Sequence, residues 1–137
     1  MIRIKSIEVF KIDLPLKEGN YSWSHGNSVN FFDSTIVKIN TNIGISGLGE
    51  VCTLGPAYLP AYAEGVRTGI KQIGKYLISK DPTDLQEINL EMDKSLKGHN
   101  YVKSPIDIAC WDIISKVMQV PLWKLLGGKF GKNVDLY

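Results

Sequence analysis

One segment near the end of the chain constrains the fold more than any other, because apolar residues cover most of the circumference it would have as a helix. These residues are Ile106, Ile108, Ala109, Cys110, Trp111, Ile113, Ile114, Val117 and Met118. Ser104 is the predicted N-cap, with Pro105 at the first helical position and Asp107 near the positive end of the helix. A helix that is apolar on nearly all sides is buried between layers. We therefore expect a further body of protein to cover part of it.

Ahead of this helix, apolar residues recur two apart along three segments, as they do in half-buried β-strands. The segments are residues 2–14, 32–40 and 45–51. Asn42 and Gly44 supply a turn between the last two. Residues 17–30 form a predicted loop between the first two, and a loop of this length is typical of a functional or disordered segment. The prediction is a three-stranded antiparallel meander.

After the meander the period changes to that of helices. The first predicted helix has an apolar stripe made of Tyr62, Val66, Ile70, Ile73 and Leu77. A second is predicted to open at Asp84, with Asp81 or Thr83 as a candidate cap, and to end at Gly98. A short last helix is predicted over residues 121–126. The fold class is therefore α+β, a three-stranded antiparallel meander followed by a helical bundle.

Charge and composition exclude several classes of partner. The 137 residues carry 16 Lys and Arg and 14 Asp and Glu, with no run of five of one sign, so we expect no nucleic acid and no membrane surface as partner. The N-terminus lacks the apolar core of a signal peptide, which predicts a cytoplasmic protein. Cys52 and Cys110 lack the spacing of a zinc site, and we expect both to be reduced core residues.

Several separated motifs carry a resemblance to a known family. They are IDIACWD at residues 106–112, Lys116, Pro121, LLGG at residues 125–128 and GLGE at residues 47–50. With the order of strands and helices, they resemble the mandelate racemase and muconate lactonizing enzyme branch of the enolase superfamily. The resemblance implies an enolase N-terminal domain-like fold that caps a TIM barrel. Residues 1–128 would be the capping domain and linking helices, and residues 129–137 the truncated first barrel strand, which is only the start of the barrel.

The same resemblance implies chemistry that lies outside this chain. Enzymes of the family abstract a proton α to a carboxylate and hold the enediolate on Mg²⁺, with the base and three acidic ligands on the barrel. A barrel of this type needs about 200 residues or more. We therefore expect Mg²⁺ to be bound by the barrel, assign no catalytic and no metal residue here, and expect the chain alone to be inactive. The full-length protein would be a racemase, epimerase, dehydratase or cycloisomerase.

A narrower resemblance concerns the substrate. Residues 55–58 with 63–65, and residues 98–104, look most like the branch that racemises or epimerises proline betaines and hydroxyproline betaines. This implies a small carboxylate substrate, in that branch a betaine, and we expect a homo-oligomer. An alternative from another class stays open: a stand-alone small-molecule-binding or oligomerisation module without catalysis.

Substrate specificity in this family comes from two cap loops, which correspond to residues 17–30 and 51–58. The candidate specificity residues are Tyr21, Trp23, His25, Thr53 and Tyr58. Aromatic ring faces can hold a quaternary ammonium group, at about 0.5–2 kcal/mol each. In the alternative interpretation, Tyr21 and Trp23 only pack the long loop onto the domain, and His25 is a solvated loop residue.

Other polar residues are expected to have structural roles. His99 is predicted to hydrogen-bond a helix end, and Asp112 to be tied to backbone or barrel groups. Asp81, Asp84, Glu87 and Glu91 resemble a carboxylate cluster, but their spacing of three and four residues is typical of a solvated helix face.

Overall fold

The computed structural model describes residues 1–131 and residue 133, and it confirms the α+β class. The strands are β1 (Ile4–Pro15), β2 (Tyr21–Trp23), β3 (Asn27–Val29), β4 (Phe31–Thr41) and β5 (Ser46–Cys52). The helices are α1 (Ala63–Gly74), α2 (Leu85–Ser95), α3 (Asn100–Met118) and α4 (Leu122–Leu125). Strands β1, β4 and β5 form an antiparallel sheet in that order, so the predicted meander is confirmed.

Residues 17–30 differ from the expected loop, because they contain a small hairpin of their own. Strands β2 and β3 pair Tyr21 with Val29 and Trp23 with Asn27, and a 3₁₀ turn at Ser24–Gly26 connects them. Alternating larger side chains at residues 21, 23 and 29 give this segment enough strand character to pair locally. The segment therefore presents its side chains from an ordered hairpin.

The core lies between one face of the sheet and the helices. Along β4, Val37 and Ile39 point inward and are fully buried, as expected from the two-residue period of a strand. The predicted stripe of α1 meets them, with Val66, Ile70 and Ile73 buried. The other buried apolar residues of this core include Ile4, Leu77, Ile88, Met92, Val102, Ile106, Ala109, Cys110 and Ile113.

Helix α3 packs directly on strand β5, and two glycines make this possible. A methyl group on Gly47 would overlap the carbonyl oxygen of Ala109, and one on Gly49 would overlap that of Pro105. Asp112 extends the contact by accepting a hydrogen bond from the Leu48 backbone N–H at 2.9 Å. The predicted tie of Asp112 to backbone is confirmed, and the glycines of the GLGE motif serve close packing.

Helix α3 begins earlier than the capping signal at Ser104 indicated. It starts at Asn100, so Pro105 lies inside the helix, where its missing N–H costs one backbone hydrogen bond. Tertiary contacts hold the extra turn: Val102 packs on Gly69 of α1, and the Lys103 ammonium lies 2.6 Å from the Asp93 carboxylate. Packing has therefore outweighed the local start signal.

Two further predictions at helix ends are wrong. The cap of α2 is Asp84, whose side chain accepts from the Glu87 N–H at 3.1 Å, while Asp81 instead accepts from the N–H and hydroxyl of Thr83. His99 occupies the N-cap position of α3 in a left-handed conformation, and its side chain makes no capping bond. Its backbone carbonyl accepts from the Val102 N–H at 2.8 Å.

The apolar circumference of α3 is only partly covered. Ile106, Ala109, Cys110 and Ile113 are fully buried by this chain, whereas Met118 is 57% exposed and Ile108 40%. Further exposed apolar side chains follow on and after α4, namely Trp123, Leu126 and Phe130. Among the described residues, no helix has both the length and the apolar character needed to span a membrane.

Part of the predicted barrel strand lies outside the described residues, at residue 132 and residues 134–137. The described part of that segment, residues 129–131 and 133, contains no strand.

We predict that Gly49→Ala lowers the free energy of unfolding by about 3 kcal/mol or more, because the added methyl group must push α3 off β5. Gly74→Ala is the matched control, since a methyl group there would sit 3.6 Å from the Ile7 Cδ1 atom in ordinary contact, inside a helix that favours Ala over Gly by about 1 kcal/mol. Urea unfolding of both variants measures the difference. Equal stability of the two would contradict the close-packing account.

Candidate functional site

The two segments predicted to determine specificity leave the same end of the sheet. Pro15 at the end of β1 pairs with Phe31 at the start of β4, and Cys52 at the end of β5 pairs with Ser34. The first segment is closed at its base by a hydrogen bond from the Leu16 N–H to the Asn30 carbonyl, 3.1 Å long. The antiparallel register therefore places residues 17–30 and 51–58 side by side.

An aromatic contact joins these two segments. The Trp23 ring lies 5.9 Å from the Tyr58 ring, centroid to centroid, in an edge-to-face arrangement, and 6.2 Å from Tyr21 in a stacked one. Tyr21 also meets Phe32 of β4 at 6.5 Å. Such pairs contribute about 0.5–1.5 kcal/mol each beyond their buried area. Three of the five predicted residues are thus brought into one cluster, with Tyr21 and Tyr58 still about half exposed.

Two polar atoms in these segments are buried without a hydrogen-bond partner among the described residues. They are the indole Nε1 of Trp23 and the hydroxyl Oγ1 of Thr53. Thr53 is only 6% exposed and lines a cavity of about 340 Å³ between the two segments. Burying a hydroxyl without a partner costs about 1–3 kcal/mol. Both atoms belong to residues that the sequence assigned to substrate specificity.

His25 differs from the other four predicted residues. It sits in the 3₁₀ turn at the tip of the hairpin with a left-handed φ of 65°, and it is exposed. It belongs neither to the aromatic cluster of Tyr21, Trp23 and Tyr58 nor to the residues that line the cavity, of which Thr53 is one.

An ion pair beneath the two segments was not predicted from the sequence. The Arg67 guanidinium of α1 donates to both carboxylate oxygens of Asp33 in β4, at 2.6 and 3.0 Å. Its hydrogen bond holds the pKa of the Asp33 carboxyl below the ordinary value, with the Arg67 charge adding to the effect. The one available signal was Asp33 itself, because aspartate is depleted in strands and this one stands in an otherwise strand-forming run.

The described residues contain no metal site. No group of three or more His, Cys, Asp and Glu side chains converges within them. Glu87 and Glu91 instead flank the Lys80 ammonium, at 2.8 and 3.4 Å, which agrees with the predicted solvated helix face.

The cysteines divide between surface and core. Cys110 is buried as expected, and burial raises the pKa of its thiol to about 12. The prediction of a core position is wrong for Cys52, which is exposed because its side chain at the end of β5 points to the face of the sheet without helices.

Comparison with known proteins identifies the family. Residues 24–127 match the family model described as "Mandelate racemase / muconate lactonizing enzyme, N-terminal domain". The chain is 54% identical over 136 residues to the cis-3-hydroxy-L-proline dehydratase of Roseibium aggregatum, covering 99% of this chain and 37% of that protein. It is 31% identical to the N-succinyl-L-Arg/Lys racemase of Bacillus cereus, covering 94% and 34%.

Comparison with a solved structure supports the same family. An enolase-superfamily member from Roseovarius nubinhibens, complexed with magnesium, superimposes with a TM-score of 0.86 at 46% identity, covering 94% of this chain and 34% of that one. The chain therefore belongs to the mandelate racemase and muconate lactonizing enzyme family, and its fold is that of the family's N-terminal capping domain. It spans about a third of the length of these relatives.

We predict that acid weakens the fold partly through Asp33. A carboxyl whose pKa is depressed in the folded state stabilises that state above its unfolded pKa, near 3.8, and loses this contribution as the pH falls through the folded value. Asp33→Asn should therefore be less stable than the parent at pH 7 and lose less stability between pH 5 and pH 2. Urea midpoints at these pH values measure this. Glu18→Gln, at an exposed turn position away from the pair, serves as control, and identical acid profiles for parent and Asp33→Asn would contradict the assignment.

Proposed function

We propose that this chain is the cap of a magnesium-dependent enzyme that abstracts a proton α to a carboxylate, with the catalytic groups in a domain outside the described residues. Family membership supports this, together with relatives that are dehydratases, racemases and epimerases. When bound in such an enzyme, Mg²⁺ stabilises negative charge that develops on the substrate carboxylate. The described residues offer no ligand set for the ion, so their part is to enclose and select the substrate.

The observation that carries this proposal is the arrangement of Trp23, Thr53 and Tyr58 at one end of the sheet. The Thr53 hydroxyl and the Trp23 indole N–H are buried and have no partner within residues 1–131 and 133, so a polar group of a ligand would gain a hydrogen bond from either. The exposed ring surface of Tyr58 and Tyr21 offers an electron-rich face to an amine or ammonium. A small amino acid presents both kinds of group.

For the substrate, we propose a pyrrolidine amino acid, with dehydration of cis-3-hydroxy-L-proline as the first candidate. The support is 54% identity over 136 residues, a stretch that includes both specificity segments. Racemisation or epimerisation of a proline betaine is the second candidate. It is favoured by the aromatic cluster, because ring faces attract a quaternary ammonium group that cannot donate hydrogen bonds.

The exposed apolar side chains of α3 and α4 fit a cap. Met118, Trp123, Leu126 and Phe130 are each at least 45% exposed and follow one another along the chain. Large apolar side chains left exposed in one short stretch of chain favour a place where another body of protein packs. We propose that the barrel of the complete enzyme covers these side chains.

The homo-oligomer stays a prediction, and light scattering on the complete enzyme would check it.

The test is proton NMR of the complete enzyme with Mg²⁺ in D₂O, with cis-3-hydroxy-L-proline and proline betaine offered separately. A dehydratase removes the α-proton and the 3-hydroxyl as water, so we expect the hydroxyproline signals to disappear without an α-deuterated isomer accumulating. Addition of a chelator should stop the reaction. Exchange of the α-proton of the betaine with hydroxyproline unchanged would favour the second candidate, and ligand binding without turnover or Mg²⁺ would favour the non-catalytic binding module.

A further inference from the structure

The ion pair between Arg67 and Asp33 links the bases of the two specificity segments. Asp33 lies two residues after Phe31, the first residue of β4, and directly after Phe32, which contacts Tyr21. Arg67 lies in the second turn of α1, the helix that the second segment leads into. A bond between them therefore connects the stem of one segment to the stem of the other.

The geometry of this pair is more restrictive than that of a surface salt bridge. Arg67 makes two parallel hydrogen bonds to the carboxylate, which fixes orientation as well as distance. The side chains are only 15% and 28% exposed. One guanidinium nitrogen also donates to the hydroxyl of the buried Thr35 at 3.3 Å. Three contacts thus hold α1 at a single position along β4.

The charges around the pair explain why a cation is needed at this position. Asp13 of β1 stands opposite Asp33 in the sheet, and like charges placed opposite each other are destabilising. The Arg67 guanidinium bound to Asp33 offsets this repulsion, together with the Lys11 ammonium 3.2 Å from Asp13. Asp33 also lines the same cavity as the unpaired Thr53 hydroxyl, so any movement of the pair changes the wall of that cavity.

We propose that Arg67 and Asp33 are a positioning pair that sets the separation of the two specificity segments and thereby the affinity for substrate, without touching the reacting atoms. This rests on the function proposed above. The pair acts through Trp23 and Thr53, because it fixes the strand and the helix from which their segments depart. Replacement of Arg67 by lysine keeps the charge but loses the two parallel hydrogen bonds to Asp33, and we expect that loss alone to disturb the site.

The test compares Arg67→Lys and Asp33→Asn with Asp93→Asn in the complete enzyme. Asp93 also pairs with a largely buried cation, Lys103, at 2.6 Å, but on the α2–α3 side of the domain, so its substitution controls for general loss of an ion pair. We expect the KM of the first two variants to rise about tenfold with kcat within about twofold, and the KM of Asp93→Asn to stay unchanged. A KM in all three variants equal to that of the parent would overturn the proposal.

A second measurement keeps the inference independent of catalysis. The chain has three tryptophans, Trp23, Trp111 and Trp123, so fluorotryptophan labelling of the complete enzyme gives each of them a ¹⁹F resonance, beside those of any tryptophan in the rest of the enzyme, and single Trp→Phe variants assign the three. Arg67→Lys and Asp33→Asn should shift or broaden the Trp23 resonance and leave the Trp123 resonance in place. An unmoved Trp23 resonance in folded Arg67→Lys protein would refute the positioning role. This readout does not depend on turnover. Failure of the enzyme to act on the substrates offered would count against the proposed function alone.

Discussion

The contact between helix α3 and strand β5 is the constraint on which the rest of the domain depends. Gly47 and Gly49 bring the backbone of the strand against the carbonyl oxygens of the helix, and Asp112 ties the same strand through the Leu48 N–H. Lys116 adds a bond to the Ser46 carbonyl at 2.8 Å. Because β5 is an edge strand, these contacts occupy backbone groups that would otherwise be open to another chain.

This packing also fixes the site. Once β5 is held, its antiparallel register with β4 determines where residues 51–58 begin, and the register of β1 with β4 determines where residues 17–30 begin. Trp23 then meets Tyr58 across the gap. The position of the candidate surface formed by residues 17–30 and 51–58 is therefore a consequence of how three strands are aligned, with Arg67 and Asp33 holding the helix to the strand beneath it.

The elements were predictable because their periods are strong, whereas several ends and contacts were not. The alternation along β4 and the stripe of α1 follow directly from residue spacing. The start of α3 was missed, since Pro105 is an ordinary first-turn residue and only packing of Val102 on Gly69 explains the added turn. Local propensity gives way to tertiary contact at such ends.

In the candidate site, too, the long-range contacts could not be predicted from the sequence. Family resemblance led to the prediction that Tyr21, Trp23, His25, Thr53 and Tyr58 determine specificity, and that role stays a prediction. The contact between Trp23 and Tyr58 joins residues 35 positions apart along the chain, which no local pattern encodes. Arg67 and Asp33 were missed for the same reason, because a pair 34 residues apart has no sequence spacing that identifies it. Long-range side-chain pairs need the fold.

The most direct measurement of the central claim, that these segments form a substrate-binding surface, compares stability and substrate affinity in Thr53→Val. Valine has the shape of threonine but lacks the hydroxyl, which is buried without a partner in the described part of the chain, so the variant should unfold at equal or higher urea concentration. If that hydroxyl binds substrate, the same variant in the complete enzyme should have a KM raised about tenfold, corresponding to about 1.4 kcal/mol. An unchanged KM, or a loss of stability that accounts for the loss of activity, would contradict the account.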